Sequence, residues 1–91
     1  MASSDASPRY PDIRELFKPR DRVTVTYGFP DQAPLVYVGT VKSVECEFMV
    51  VVWDELNGKT VPPKEMVEWN YVILEGGTDS SPIRKVTGGT R

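Results

Sequence analysis

Between Asp21 and Val67 the chain reads DRVTVTY (21–27), a turn-rich loop, LVYVGTVKSV (35–44), a short loop, FMVVVWDELNGKTVPP (48–63) and KEMV (64–67). Arg22 to Tyr27 alternates strictly: Val23, Val25 and Tyr27 fall on one side and Arg22, Thr24 and Thr26 on the other, the pattern of a half-buried strand. Gly28 to Pro34 is rich in turn formers and reads as a loop. Leu35 to Val44 reads as a second strand whose apolar parity shifts, with Gly39 near the shift, so a bulge or bend is expected there. Phe48 to Trp53 is apolar on both sides and reads as a central strand. Asn57-Gly58 supplies the strongest hairpin signal, because both residues tolerate the positive φ of a type I′ turn. Thr60 and Val61 form a short fourth strand that Pro62-Pro63 is expected to stop, since proline donates no backbone N–H. A single 3₁₀ turn over 63–66 and a fifth strand over 67–74 follow.

Outside this block, Pro11 and Asp12 read as a helix start, and Ile13, Leu16 and Phe17 share one face of about one and a half turns. That turn is expected to plug an end of the sheet or cover its edge. Residues 1–11 are Ser/Ala/Pro-rich and residues 76–91 Gly/Ser/Thr-rich, and both are expected to be disordered tails. Within the second, Ser81-Pro82-Ile83-Arg84-Lys85 is a small basic island, read as a solvated tail or a short docking or phosphorylation site. The expected fold is all-β: a five-stranded SH3-like small barrel over 12–75, with a short N-terminal helical turn. Closing the sheet would remove exposed edges, an economical answer for roughly sixty foldable residues.

Composition narrows the function classes. The chain has 91 residues and a formal net charge of −2, and Arg14 to Glu75 holds seven Lys/Arg against ten Asp/Glu. A nucleic-acid footprint needs clustered cations. Lys18, Arg20 and Arg22 would make one only by meeting Lys64 at one rim, with Asp21, Glu65 and Glu68 intervening. There is no histidine and one cysteine, Cys46, between Glu45 and Glu47. This argues against His-based triads and zinc fingers, and fits a reducing compartment. No run approaches the ~20 apolar residues of a membrane span. The reading is a soluble, intracellular, non-catalytic protein with no cofactor, no metal and no membrane partner. The paired carboxylates Glu45/Glu47 and Asp54/Glu55 sit on expected loops with no substrate groove.

The runs Asp21-x-Val23-x-Val25-x-Tyr27, Leu35-Val36-Tyr37-Val38-Gly39-x-Val41-x-x-Val44, Val50-x-Val52-Trp53-Asp54 and Val61-Pro62-x-x-x-Met66 resemble the Tudor, Agenet and chromo-barrel superfamily over about half the chain. The later part is also similar to the C-terminal domain of retroviral integrases. The first resemblance implies a protein or peptide partner carrying methylated lysine or arginine, held in an aromatic cage at one mouth of the barrel. It places Tyr27, Tyr37 and Trp53 at the cage, Asp54 or Glu55 at the rim and Phe29 as a lid. It also puts Lys59 or Thr60 where a further cage aromatic often stands. The plainer alternative is that Tyr27, Tyr37 and Trp53 fill a small core with their polar tips at the surface. The integrase resemblance implies nucleic acid as the alternative partner, and a protein–protein adaptor is a third reading. Trp69 and Tyr71 are expected to share a face of the last strand, packed on the Ile13/Leu16/Phe17 turn or exposed to a partner.

Overall fold

The computed structural model describes residues 10–86. Asp12 caps a 3₁₀ turn at Ile13–Glu15, its carboxylate accepting the Arg14 N–H. Four strands then run as an antiparallel meander: β1 (Arg22–Phe29), β2 (Gln32–Val44), β3 (Phe48–Leu56) and β4 (Lys59–Trp69). A short helix, α1 (Asn70–Glu75), turns the chain back, and β5 (Arg84–Lys85) pairs antiparallel with Val23 and Thr24 of β1. The sheet order is β4-β3-β2-β1-β5. The two edges, β4 and β5, do not pair with each other, so the sheet is open where closure was expected. No helix among the described residues is long and apolar enough to cross a membrane.

The alternation read in the sequence sets the inner face. Val23 and Val25 of β1, Val41 of β2, and Met49, Val51 and Trp53 of β3 are buried, and the intervening residues are not. Ile13 and Phe17 from the N-terminal turn, Ile73 from α1 and Ile83 from the returning chain complete this core. Burial of these ten apolar side chains, at about 25 cal/mol per Å², is the main term holding the domain together.

The Asn57-Gly58 hairpin forms as expected, with φ of 51° and 83°, the double positive φ of a type I′ turn. Asn57 Oδ1 also accepts the Val36 N–H at 2.8 Å, which ties the turn to β2. The register of β2 on β3 shifts between Val38 and Gly39, where the bend was expected. A Cβ at Gly39 would lie 2.5 Å from the Val52 carbonyl oxygen and 2.9 Å from Trp53 Cα. Only glycine lets the two backbones approach this closely.

Four expectations are corrected. The loop expected over 28–34 is a tight turn at Pro30-Asp31. β1 and β2 pair out to Phe29↔Gln32, and the irregularity between Tyr27 and Phe29 sets Gly28 against both Ala33 and Pro34. Pro62 and Pro63 do not stop β4. They lie on the outermost strand, at a register shift where Val61 to Pro63 oppose the single Asp54, so the ladder loses little from their missing N–H groups. The fifth strand expected over 67–74, with the 3₁₀ turn before it, is instead the end of β4 followed by α1. Asn70 N–H turns to the Glu47 carbonyl, Gly76 N–H closes the helix on Val72, and the turn buries Ile73 almost completely. Tertiary burial here overrides the strand preference of Tyr-Val-Ile.

The fourth correction concerns the tail expected from residue 76, which is folded as far as Val86. It straps β1: Gly28 N–H donates to the Asp79 carbonyl, Ser81 N–H to that of Thr26, and Val86 N–H to that of Arg22. Ile83 is buried, and Lys85 pairs with Asp21 at 3.3 Å. The two basic residues of the island, Arg84 and Lys85, are therefore the fifth strand. Residues 1–9 and 87–91 lie outside the described residues. Trp69, at the end of β4, packs on Phe48 with ring centroids 5.2 Å apart, while Tyr71 sits exposed on α1, so the two do not share a strand face.

Candidate functional site: an aromatic cleft between two hairpins

Strand ends carry side chains to one end of the inner face, beyond the core. Tyr27 and Phe29 come from the end of β1, Leu35 and Tyr37 from the start of β2, and Trp53 and Leu56 from the end of β3. These six, with Val25 beneath, line one side of an open cleft of about 490 Å³, and the inner face of β4 supplies the rest. On β4, Lys64 stands opposite Trp53, Met66 opposite Val51 and Glu68 opposite Met49, so all three point to the core side. The β3–β4 hairpin adds Val61 and Pro62 at the rim.

Tyr27 and Tyr37 meet edge to face, with centroids 5.7 Å apart and planes at 87°. That geometry sets the positive edge of one ring against the negative face of the other. Trp53 is 7% exposed, its benzo edge lying where a Gly39 side chain would be. Its indole Nε1–H donates to Glu68 Oε2 at 3.0 Å. Burial raises the Glu68 carboxyl above the usual glutamate range, and the indole hydrogen bond partly offsets this. Burial is also the main cause that raises the Tyr27 phenol, followed by the Glu68 charge and Tyr37. Tyr27 therefore stays neutral at physiological pH, and an acidic group lies close to its ring.

Four of the five expected site residues, Tyr27, Phe29, Tyr37 and Trp53, meet in this cleft. Asp54 does not. It follows Trp53 by one residue in a strand, so its side chain points to the opposite face, where it takes Arg22 Nη1 at 3.2 Å. Glu55 takes Nη2 of the same guanidinium at 3.4 Å. Lys59 and Thr60 are likewise outside the cleft. The carboxylate that lines it is Glu68 and the lysine is Lys64. Period-two parity could have excluded Asp54. Glu68 could not be found that way, because its register depends on the three-residue irregularity in β4.

Arg22 and Lys64 lie on opposite faces of the sheet, and Arg22 is held by two carboxylates. Lys18, Arg20, Arg22 and Lys64 therefore form no common rim. Cys46 is exposed in the β2–β3 turn, and no three His, Cys, Asp or Glu residues gather as metal ligands among the described residues. No protein-family model, curated protein or solved structure matches the chain.

The raised Glu68 carboxyl has a consequence for stability. Folded Glu68 holds its proton to higher pH than unfolded Glu68. In the window just above the ordinary glutamate value the folded state thus binds more protons, and stability falls as pH rises through it. Glu68→Gln is expected to flatten this slope in urea unfolding measured between about pH 4 and about pH 7. Equal slopes for the variant and the native chain would contradict the assignment.

Proposed function

We propose that the chain is a non-catalytic reader module that holds a methylated lysine or arginine side chain of a protein partner in the aromatic cleft. The observation that carries this reading is the convergence of Tyr27, Tyr37, Trp53 and Phe29 with the half-buried Glu68 carboxylate in one open cleft. A methylammonium or methylguanidinium group is weakly hydrated, so moving it against ring faces costs little water. Each ring face within ~6 Å of it contributes about 0.5–2 kcal/mol. Glu68 adds a counter-charge in a site where water screens it poorly. Lys64 at the rim opposes an isolated cation and favours a ligand whose neighbouring residues are acidic.

The Tudor-like, SH3-like attribution belongs to this proposal. It is supported by the four-strand meander, the bend at Gly39, the tight Asn57-Gly58 hairpin, and a helical turn preceding a last strand that returns to β1. The helical turn comes at 70–75 and the last strand at 84–85.

The test is a titration with trimethyl-lysine and dimethyl-arginine peptides, followed by tryptophan fluorescence. A saturable change with Kd of about 1 mM or tighter, absent with the unmodified peptide, is expected. No methyl-dependent change at that concentration would reject the proposal. Because a cationic ligand prefers ionised Glu68, its affinity is expected to rise with pH through the titration of that group.

A further inference from the structure

We infer that the free edge of β4 pairs with the same edge of a second copy, around a two-fold axis at Met66. The edge is limited on both sides: Pro62 and Pro63 lack the N–H groups a ladder needs, and α1 begins at Asn70. That leaves Lys64 to Trp69. Three consecutive-strand apolar residues stand exposed there, Met66 at 41%, Val67 at 49% and Trp69 at 45%. They are half of the large apolar side chains exposed among the described residues. An unpaired edge flanked by such residues is a template for another strand.

Charge decides which strand and which register. An antiparallel pair of identical strands that keeps both inner faces on one side can be centred on any residue of this edge. Centring on Lys64, Glu65 or Glu68 sets like charges directly opposite each other. Centring on Val67 sets Glu65 against the partner's Trp69 and leaves Lys64 without an acid. Centring on Met66 sets Lys64 opposite the partner's Glu68, and Glu68 opposite the partner's Lys64. It also places Met66 on the partner's Met66 and Trp69 on the partner's Pro63. This register alone makes two complementary charge pairs and no clash, and it covers the exposed methionine and tryptophan. The two aromatic clefts then open on the same side of one continuous sheet, with a lysine of each copy beside the carboxylate of the other.

The inference does not rest on the proposed ligand, and its test uses the full chain without peptide. Sedimentation velocity over a concentration series is expected to show the 10.2 kDa chain doubling in mass with a Kd of about 100 µM, as suits a small interface. Lys64→Glu places like charges opposite each other twice and is expected to weaken the dimer about tenfold or more. Glu68→Lys alone does the same, whereas mixing the two variants restores both pairs in a heterodimer. Val67→Asp lies on the outer face, 49% exposed and outside the cleft, and sets a carboxylate opposite the partner's Glu65 twice. It is expected to give a monomer with an unchanged circular dichroism spectrum, so the test stands even if Glu68→Lys fails to fold. A native chain still monomeric at about 1 mM, or dimers that Lys64→Glu and Val67→Asp leave intact, would overturn the inference.

Discussion

Gly39→Val is expected to abolish cooperative folding. The new Cβ would sit 2.5 Å from the Val52 carbonyl oxygen and 2.9 Å from Trp53 Cα, and these are backbone atoms that no rotamer change can move aside. Relief requires β2 and β3 to separate in the middle of the sheet, where each has a neighbour on both sides. Overpacking that side chains can absorb costs about 1–3 kcal/mol, and this case exceeds that range. A domain of this size has only about 5 kcal/mol of stability to lose. Even Gly39→Ala meets the same two backbone atoms, so it is expected to lower the melting temperature by more than about 10 °C. The alanine variant also meets Trp53 Cε3 at 2.9 Å, so the indole must leave the floor of the cleft. Thermal unfolding followed by circular dichroism checks both variants. An alanine variant melting with the native protein would mean that β2 and β3 are not this close.

Trp53→Ala carries the second large effect, because one side chain serves both the core and the cleft. Removing a nearly buried indole costs about 3–5 kcal/mol in lost burial and cavity. It also takes the hydrogen-bond donor from Glu68, leaving a half-buried carboxylate with its desolvation uncompensated. Trp53→Phe separates the two contributions. It keeps most of the ring but not the N–H, so the smaller loss that remains should shrink when Glu68→Gln is added. Trp69→Ala is the contrast: Trp69 is 45% exposed and packs on Phe48 at the far corner of the sheet. It is expected to cost about 1 kcal/mol or less and to leave the cleft intact. Urea unfolding of the four variants checks this ordering. Equal losses for Trp53→Ala and Trp69→Ala would contradict it.

These two residues also show what the sequence made legible. The parity shift around Gly39 marked the bend, Asn57-Gly58 marked the hairpin, and strict alternation over 22–27 marked the buried face. Tyr27, Tyr37 and Trp53 stand at strand ends, but it was the resemblance, rather than their spacing, that implied one shared site for them. Pro62-Pro63 reads as a stop in local sequence, yet proline's effect depends on whether a neighbour strand faces its nitrogen. That is a property of sheet order, which local sequence does not contain. Ile83 stands alone between polar residues, with no period to announce a core position, so the strap over 76–86 was invisible. Tyr71 to Leu74 carries strand-forming residues, and its helical turn arises from the burial of Ile73. The substitution of Glu68 for Asp54 at the site has the same origin, since cross-strand register, rather than proximity in sequence, chooses which carboxylate faces the rings.

The two tryptophans provide the most direct test of the central claim, because only one lies in the cleft. Each indole N–H gives its own resonance in a nitrogen–proton correlation spectrum of the labelled protein, and the two are assigned with Trp69→Ala. Adding a dimethyl-arginine or trimethyl-lysine peptide is expected to move the Trp53 resonance in a saturable way, through its hydrogen bond to Glu68, while that of Trp69 stays in place. A stationary Trp53 resonance at millimolar peptide, or movement of Trp69 alone, would contradict the assignment of this cleft as a cation-binding site.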